Sequence, residues 1–309
     1  MAEASVSETT GVYRDPEPFA LEAQGHSLVF YPGGDDRRRA LMDLVGSATT
    51  TLDICFYIFA EDEVSSELRD ALCAAARRGV AVTLILDSFG ASASDRFLQP
   101  LVDAGGRYFC FSPRIGLRYL IRNHQKMVIA DGERALFGGF NIEDDYFAPP
   151  EQNGWNDLAI ALLRRIARVA KTGRARLLMA AKSDNGATLG ATRSLYRYLL
   201  KRKARIWEFS PCKLHTKLLV LDDAVYLGSA NFDMRSLYLN LEIMLRIEDA
   251  ALAERMREFI AHQIAASEEI TPALHAQRST LFNRIRWGAG WVLVSVLDYT
   301  VTRRLNLGI

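Results

Sequence analysis

The chain is short of the residues that mark several protein classes. It has 4 cysteines among 309 residues, Cys55, Cys73, Cys110 and Cys212, with no CxxC pair. That spacing excludes a zinc ribbon or a disulfide scaffold, and the four thiols read as small buried apolar side chains. No run of 18 apolar residues occurs, so no spanning helix is expected. The first 25 residues hold no apolar h-region, so no secretory signal is expected. Charge of one sign is missing too: 38 basic and 37 acidic side chains leave a net +1, against a protein that coats polyanions over its whole surface. What is present is globular: 49% hydrophobic and 24% charged residues exclude a disordered or fibrous chain. The length suggests one large or two ordinary domains.

Residues 1–26 are polar and read as a loose arm. A β-type run follows at 27–31 and a helical stretch at 36–45. Residues 49–59 (TTTLDICFYIF) are β-branched and aromatic and predict a buried strand. Residues 63–78 have helical spacing, with Val64, Leu68, Leu72 and Ala75 on one face and Gly79 as the stop. A strand at 80–87, a helix at 97–104 ended by Gly105 and Gly106, and a short strand at 108–111 complete an α/β alternation.

The second half repeats the first. AAARRGVAVTLILDSFG (74–90) resembles ARVAKTGRARLLMAAKSDNG (167–186) in its order of helix, glycine, strand and Asp. GRYFCFSP (106–113) is echoed by ARIWEFSP (204–211). A repeat this long predicts a duplicated domain with one cleft at its pseudo-twofold, not a solenoid. The first copy opens with the strand at 49–59. The second has no counterpart, because 158–162 runs straight into a basic helix at 163–170.

Each copy carries an H-x-K-x4-D hairpin: His124, Lys126 and Asp131 in the first, His215, Lys217 and Asp222 in the second. Along a strand, His and Lys two apart project to the same side, and the Asp falls at the turn. Taken alone, Asp131 and Asp222 read more readily as turn formers than as catalysts. Small-residue segments follow, LFGGFN (136–141) and LGSAN (227–231), each ending in Asn141 or Asn231. Two imidazoles, two ammonium groups, two amides and close backbone donors around one point suit a phosphodiester, whose developing charge sits on several oxygens.

The paired motifs, with G-G-F-N and G-S-A-N-F-D-M-R-S after them, resemble the phospholipase D superfamily, and within it bacterial cardiolipin-synthase-like members, over roughly residues 27–265. The resemblance implies an α/β fold: a duplicated phospholipase D-like sandwich of two pseudo-twofold related sheet halves with flanking helices, here with the second half lacking its opening strand. It divides the chain into an arm (1–26), a first repeat (27–157), a shortened second repeat (158–265) and a C-terminal tail (266–309). It implies metal-free, cofactor-free phosphodiester exchange through a phosphohistidine. His124 resembles the nucleophile and His215 the general acid/base, in that order or reversed. Asp131 and Asp222 complete the catalytic motifs. Lys126, Lys217, Asn141, Ser229 and Asn231 would hold phosphate oxygens, and Asp157 and Glu242 fit the places of acids that orient a histidine.

Between Arg164 and Arg205 there are thirteen Lys/Arg and one acid, Asp184, a local patch suited to anionic lipid or to nucleic acid. The tail holds an uncharged stretch of 11 residues, 287–297, too short to span, with Arg284 and Arg286 before it and Arg303 and Arg304 after it. Trp287, Trp291 and Tyr299 give it interfacial character, and it reads as either a helix on anionic lipid or one docked on the body. At 251–264, Leu252, Met256, Phe259, Ile260 and Ile264 form a core-facing stripe. The expected protein is a phosphatidyltransferase or phosphodiesterase. Its expected partners are a phospholipid substrate and an anionic membrane surface, with no protein partner, and its expected place is the cytoplasmic inner face. The alternatives are a metal-independent endonuclease of the same superfamily, for which nucleic acid would be the partner, and a catalytically impaired membrane-binding module.

Overall fold

The computed structural model describes residues 13–23, 26–112, 121–162, 176–182, 186–201, 203–231, 236 and 240–292. In the first half the order is β1 (Phe19–Ala23), β2 (His26–Tyr31), α1 (Gly34–Gly46), β3 (Thr51–Phe56), α2 (Glu63–Arg77), β4 (Ala81–Asp87), α3 (Asp95–Asp103), β5 (Arg107–Phe111), β6 (Met127–Ala130), β7 (Arg134–Gly138), β8 (Trp155–Asn156) and β9 (Ala159–Leu162). The second half adds β10 (Arg176–Ala180), α4 (Gly186–Lys201), β11 (Arg205–Phe209), β12 (Lys213–Leu214), β13 (Leu218–Leu221), β14 (Ala224–Gly228) and β15 (Met244–Glu248). It closes with α5 (Ala250–Ala265), β16 (Ser267–Glu269), α6 (Pro272–Arg278) and α7 (Leu281–Trp291).

Local chemistry accounts for the elements. Asp62 caps α2 in a reciprocal capping box with Ser65. Val64, Leu68, Leu72 and Ala75 then form its buried face, and Gly79, at φ +92°, turns the chain out of the helix where a side chain would be strained. In β4, Val82, Leu84 and Leu86 alternate inward under α2 and α3.

Eight strands make the first sheet, in the order β1-β2-β9-β7-β6-β3-β4-β5. β3 is its keystone, parallel to β4 on one side and antiparallel to β6 on the other. Helices α1 to α3 cover one face through a core that includes Leu41, Leu68, Leu84 and Val128. The opposite face, at Phe30, Phe137, Leu158 and Ile160, meets Val225, Leu227, Leu245 and Ile247 of β14 and β15 and Met256 and Phe259 of α5. That shared core joins the halves as a sandwich. Leu252, Met256 and Phe259 are buried on α5 and Ile260 packs beside them, as the stripe predicts.

The second half has no continuous sheet. β10 pairs in parallel with β11, and β13, β14 and β15 form a separate antiparallel unit. Among the described residues no strand bridges β10 and β13, the place that β3 fills in the first half. The described strands of this half thus form two separate units, and β11 pairs on its other side with β16. The consequence is visible in burial: no residue of β10 or β13 is fully buried, whereas Val82, Leu84, Val128 and Ala130 of β4 and β6 are. The helix expected at 163–170 lies outside the described residues.

Three expectations are corrected. Residues 13–23 do not form a loose arm: β1 pairs with β2, and Phe19 stacks on Phe30 at 4.9 Å. Residues 158–162 belong to the first half, because β9 inserts between β2 and β7. Cys110 is exposed on the edge strand β5, while the other three thiols are buried.

Arg37 of α1 is buried completely, sharing a face with Leu41 and Val45 at helical spacing. Its guanidinium donates to four main-chain carbonyls: Pro32, Asp157 (2.6 Å), Tyr146 (2.8 Å) and Trp155 (3.0 Å). It thus ties the helix to the chain that presents Asp157. Replacing it leaves several buried acceptors without donors, at about 1–3 kcal/mol each. We expect Arg37→Leu to lose at least ~3 kcal/mol of unfolding free energy in urea titrations.

Candidate active site

The two motifs are brought together by an exchange across the pseudo-twofold. Main-chain bonds set the register first. His124 N–H donates to Leu241 O (2.9 Å) and Leu241 N–H to Arg122 O (2.9 Å). In the second half, His215 N–H donates to Asn156 O (2.8 Å), extending the parallel pairing of β12 with β8. Each histidine is thereby laid beside the residue just before an acid. His124 Nδ1 lies 3.0 Å from the Glu242 carboxylate and His215 Nδ1 lies 2.7 Å from Asp157 Oδ2. The acid that follows one motif in sequence thus orients the histidine of the other. Both roles expected of Asp157 and Glu242 fit this geometry, although the crossing was not legible in the chain.

An ionised carboxylate can only accept, so it holds each ring as the Nδ1–H tautomer and leaves the lone pair on Nε2. His215 Nδ1 is also 2.7 Å from Lys217 Nζ. One nitrogen cannot donate to Asp157 and accept from an ammonium at once. The carboxylate takes the bond, and Lys217 is satisfied by His215 O at 2.7 Å. Lys126 Nζ makes the matching bond to His124 O at 2.6 Å.

Burial and crowding set the ionisation. Lys126 is fully buried, and desolvation, then Lys217, push its ammonium well below the usual lysine range. His124 is lowered by burial and by Lys126 and Lys217. His215 is lowered to about 4 by burial and the same two lysines. Asp157 is pushed up by burial, but His215, Lys217 and Arg37 more than offset this and hold it at about 2. Glu242 is likewise lowered: His124, Ser229 and Lys126 outweigh its desolvation. The site at neutral pH therefore holds two neutral imidazoles beside ionised carboxylates and two crowded lysines. An arriving anion relieves the crowding and favours protonation of one imidazole.

Two aromatic walls complete the site. Tyr57 stands edge-on to His124 with ring centroids 4.8 Å apart, and Lys126 Nζ lies 5.3 Å from the Tyr57 ring. Tyr146 (5.2 Å) and Trp155 (5.1 Å) stand edge-on to His215. Arg37, Tyr57, Tyr146 and Trp155 were not picked out by sequence reasoning. The available signals were the helical spacing of Arg37 with Leu41 and Val45, and the nearness of Trp155 to Asp157 in the chain.

The remaining expected site residues divide. Asn141 is buried behind the first hairpin, and its Oδ1 accepts from Ile58 N–H (3.1 Å), which leaves its amide N–H groups as the donors. Asn231 is half-buried just after β14. Ser229, expected at the phosphate, turns its hydroxyl to Glu242 Oε2, donating at 2.6 Å, and completes the support of His124. The matching residue, Gly139, lies so close to Asp157 that an added Cβ would sit 2.7 Å from both carboxylate oxygens.

Asp131 and Asp222 are corrected from catalytic to structural. Both sit in hairpin turns with positive φ, at the opposite end of β6 and β13 from the histidines. Asp131 accepts from the N–H groups of Thr49, Thr50 and Thr51 and pairs with Arg134 at 2.8 Å. Asp222 O accepts from Arg257. Among the described residues no group of three or more metal-ligating side chains occurs. A separate cleft of about 610 Å³ lies elsewhere, between α1 and the strands β2 and β7.

Comparisons with known proteins fit this geometry. A family model described as "Cardiolipin synthase, PLD-like domain" matches twice, over residues 41–161 and 157–264. The major cardiolipin synthase ClsA of Bacillus subtilis (strain 168) is 24% identical over 371 residues, covering 90% of this chain and 77% of that protein. That span exceeds the 309 residues present here, so the relative carries residues with no counterpart in this chain. A cardiolipin synthase of Clostridium perfringens (strain 13 / Type A) is 37% identical over 139 residues, 43% of this chain and 29% of its own length. In fold, the chain is similar to the phosphatidylserine synthase of Haemophilus influenzae Rd KW20, with a TM-score of 0.65, 11% identity, and coverage of 94% and 96% of the two chains. It is also similar to the polyphosphate kinase of Porphyromonas gingivalis, with a TM-score of 0.56, 17% identity, and coverage of 82% and 49%.

The depressed His215 value has a direct thermodynamic consequence. The folded protein keeps His215 neutral down to about pH 4, while the unfolded chain takes up a proton near 6.5. Stability from this group is fully present above pH 6.5 and is lost as the pH falls towards 4. The difference corresponds to roughly 3 kcal/mol. Denaturant titrations at pH 7 and pH 4.5 should show most of that loss in the wild type and a flatter profile in His215→Asn. Equal slopes would contradict it.

Proposed function

We propose, from the premise that the chain belongs to the cardiolipin synthase, PLD-like domain family, that it is a phosphatidyltransferase or phosphodiesterase acting on phospholipids. The observation that carries this reading is the pairing of two Nδ1-held imidazoles with two buried lysines, each imidazole supported by an acid from the opposite half. Nothing in that set suits a neutral carbonyl better than a phosphodiester.

In the proposed reaction His124 Nε2 attacks phosphorus and forms an N–P bond as the bond to the leaving oxygen breaks. His215, protonated when the anionic diester enters, gives its Nε2 proton to that oxygen. An acceptor alcohol or water then gives a proton back to His215 Nε2 and attacks phosphorus, and the N–P bond to His124 breaks. Phosphatidyl transfer to an alcohol is the preferred outcome and hydrolysis to phosphatidate the competing one. Lys126, Lys217 and the Asn141 amide offer donors to the phosphoryl oxygens. Glu242 and Asp157 stabilise the rings as they gain charge.

A membrane surface is the proposed place of action. Among the described residues no helix is long and apolar enough to cross a bilayer. On α7, Leu281, Phe282 and Ile285 are 75%, 73% and 64% exposed, so this face meets solvent rather than the body. Trp287 and Gly290, on the other side, pack against α4 and the α6 residue His275. At helical spacing the exposed Arg284 and Arg286 fall on the two borders of the apolar face, an arrangement suited to anionic headgroups. The helix α7 is thus docked on one face and exposed on the other, and the rest of the expected tail, 293–309, lies outside the described residues.

Incubation with phosphatidylglycerol vesicles should give cardiolipin or phosphatidate in EDTA, and a 32P-labelled phosphoenzyme should map to His124. Removing either histidine by substitution with alanine should reduce turnover at least ~100-fold. Cleavage of DNA without lipid turnover would move the assignment to a nuclease, and inertness towards both would leave a binding module.

A further inference from the structure

The two supports of the imidazoles are not equivalent. Leu241 and Asn156 hold matching positions, each accepting the histidine N–H through its carbonyl. Leu241 is 44% exposed, whereas Asn156 is 1% exposed. Docking the histidine strand therefore does not by itself require a buried amide, and the Asn156 side chain needs another explanation.

Its partners supply one. Asn156 Oδ1 accepts from Gln263 Nε2 of α5 at 2.5 Å. Its Nδ2 donates to Tyr13 Oη at 3.0 Å and to Asp15 Oδ1 at 2.8 Å. Both N–H groups and the carbonyl of the amide are engaged, so the side chain has one permitted orientation. The segment carrying Tyr13 and Asp15 is itself anchored. The Tyr13 ring meets Phe209 edge-on at 5.0 Å and His262 at 5.5 Å, and His262 Nε2 donates to Arg14 O at 3.0 Å. On the far side, Arg37 grips the carbonyls of Trp155 and Asp157. Asn156 is thus clamped from the N-terminal segment, from α5 and from α1. The next residue is the acid that holds His215.

We propose that Tyr13, Asp15 and Asn156 are positioning residues for His215: the N-terminal segment is a clamp that fixes the Asp157–His215 pair and, among the described residues, has no counterpart at the Glu242–His124 pair. The proposal rests on the phosphohistidine reading above for its kinetic consequence and on geometry alone for the clamp itself. The clamp acts where proton transfer to the leaving oxygen occurs, so loosening it hurts substrates that need that proton. A misplacement of ~1 Å is enough for a loss of about 100-fold.

The test compares Asp15→Ala with Asp15→Asn in the full chain. Asparagine keeps the oxygen that accepts from Asn156, and alanine does not. With phosphatidylglycerol vesicles, whose leaving group is an alkoxide, Asp15→Ala should lower kcat about tenfold or more at unchanged KM, and Asp15→Asn should restore it. With bis(4-nitrophenyl) phosphate, whose leaving group needs no proton, the first-turnover burst should survive in Asp15→Ala while the steady rate falls. By proton NMR the low-field Nδ1–H signal of His215 should broaden in Asp15→Ala and return in Asp15→Asn, with that of His124 unchanged. Wild-type behaviour of Asp15→Ala, or equal loss of burst and steady rate with both histidine signals disturbed, overturns the clamp. A wild type that turns over neither diester sinks the enzymatic reading instead, and the His215 signal still decides the clamp.

Discussion

The exchange of carboxylates between halves is the constraint on which the rest of the molecule depends. Asp157 comes from the first half and Glu242 from the second, and each holds the histidine of the other. Neither half supplies both a histidine and the acid that holds it. The shared core of Phe137 and Ile160 with Leu227, Leu245 and Phe259 therefore does more than stabilise: it sets the distance across which the exchange is made.

That arrangement keeps the candidate site together although the described strands of the second half form two separate units. Among the described residues the gap lies between β10 and β13, the place that β3 fills inside the first sheet. The candidate site residues of this half lie just after β12 (His215, Lys217), just after β14 (Ser229, Asn231) and just before β15 (Glu242), and these strands are held by β8, by the first sheet and by α5. The cost appears elsewhere, as half-exposed apolar side chains on β10 and β13. The Gly139 and Ser229 pair shows the same economy of design: one lets a carboxylate approach closely, the other donates to it.

The electrostatics follow from packing six ionisable groups into one partly dry site. Burial and the neighbouring lysines push Lys126 and both imidazoles down, while histidine and lysine neighbours hold Asp157 and Glu242 ionised. Such a site is poised for an anion, because the incoming charge offsets the repulsion and favours a protonated ring.

Much of this was written in the chain. The α/β alternation and the duplication were legible because strand and helix periods, glycine stops and a motif repeated at matching places are local signals. His124, Lys126, His215 and Lys217 were legible for the same reason. Other features needed the tertiary structure. Asp131 and Asp222 share a motif with the histidines, yet extended strands carry them to the far turns. Ser229 was assigned to phosphate because a short polar side chain beside a glycine does not disclose its partner, and its partner proved to be Glu242. Arg37, Tyr13, Asp15 and Asn156 act through residues distant in sequence, and residues 13–23 looked like a free arm because a strand at a sheet edge carries a weak pattern. The sequence by itself determined which chemical groups exist and on what kind of element each rides. Only the fold decided which group faces which, because hydrogen bonds between distant segments depend on a geometry that no local periodicity encodes.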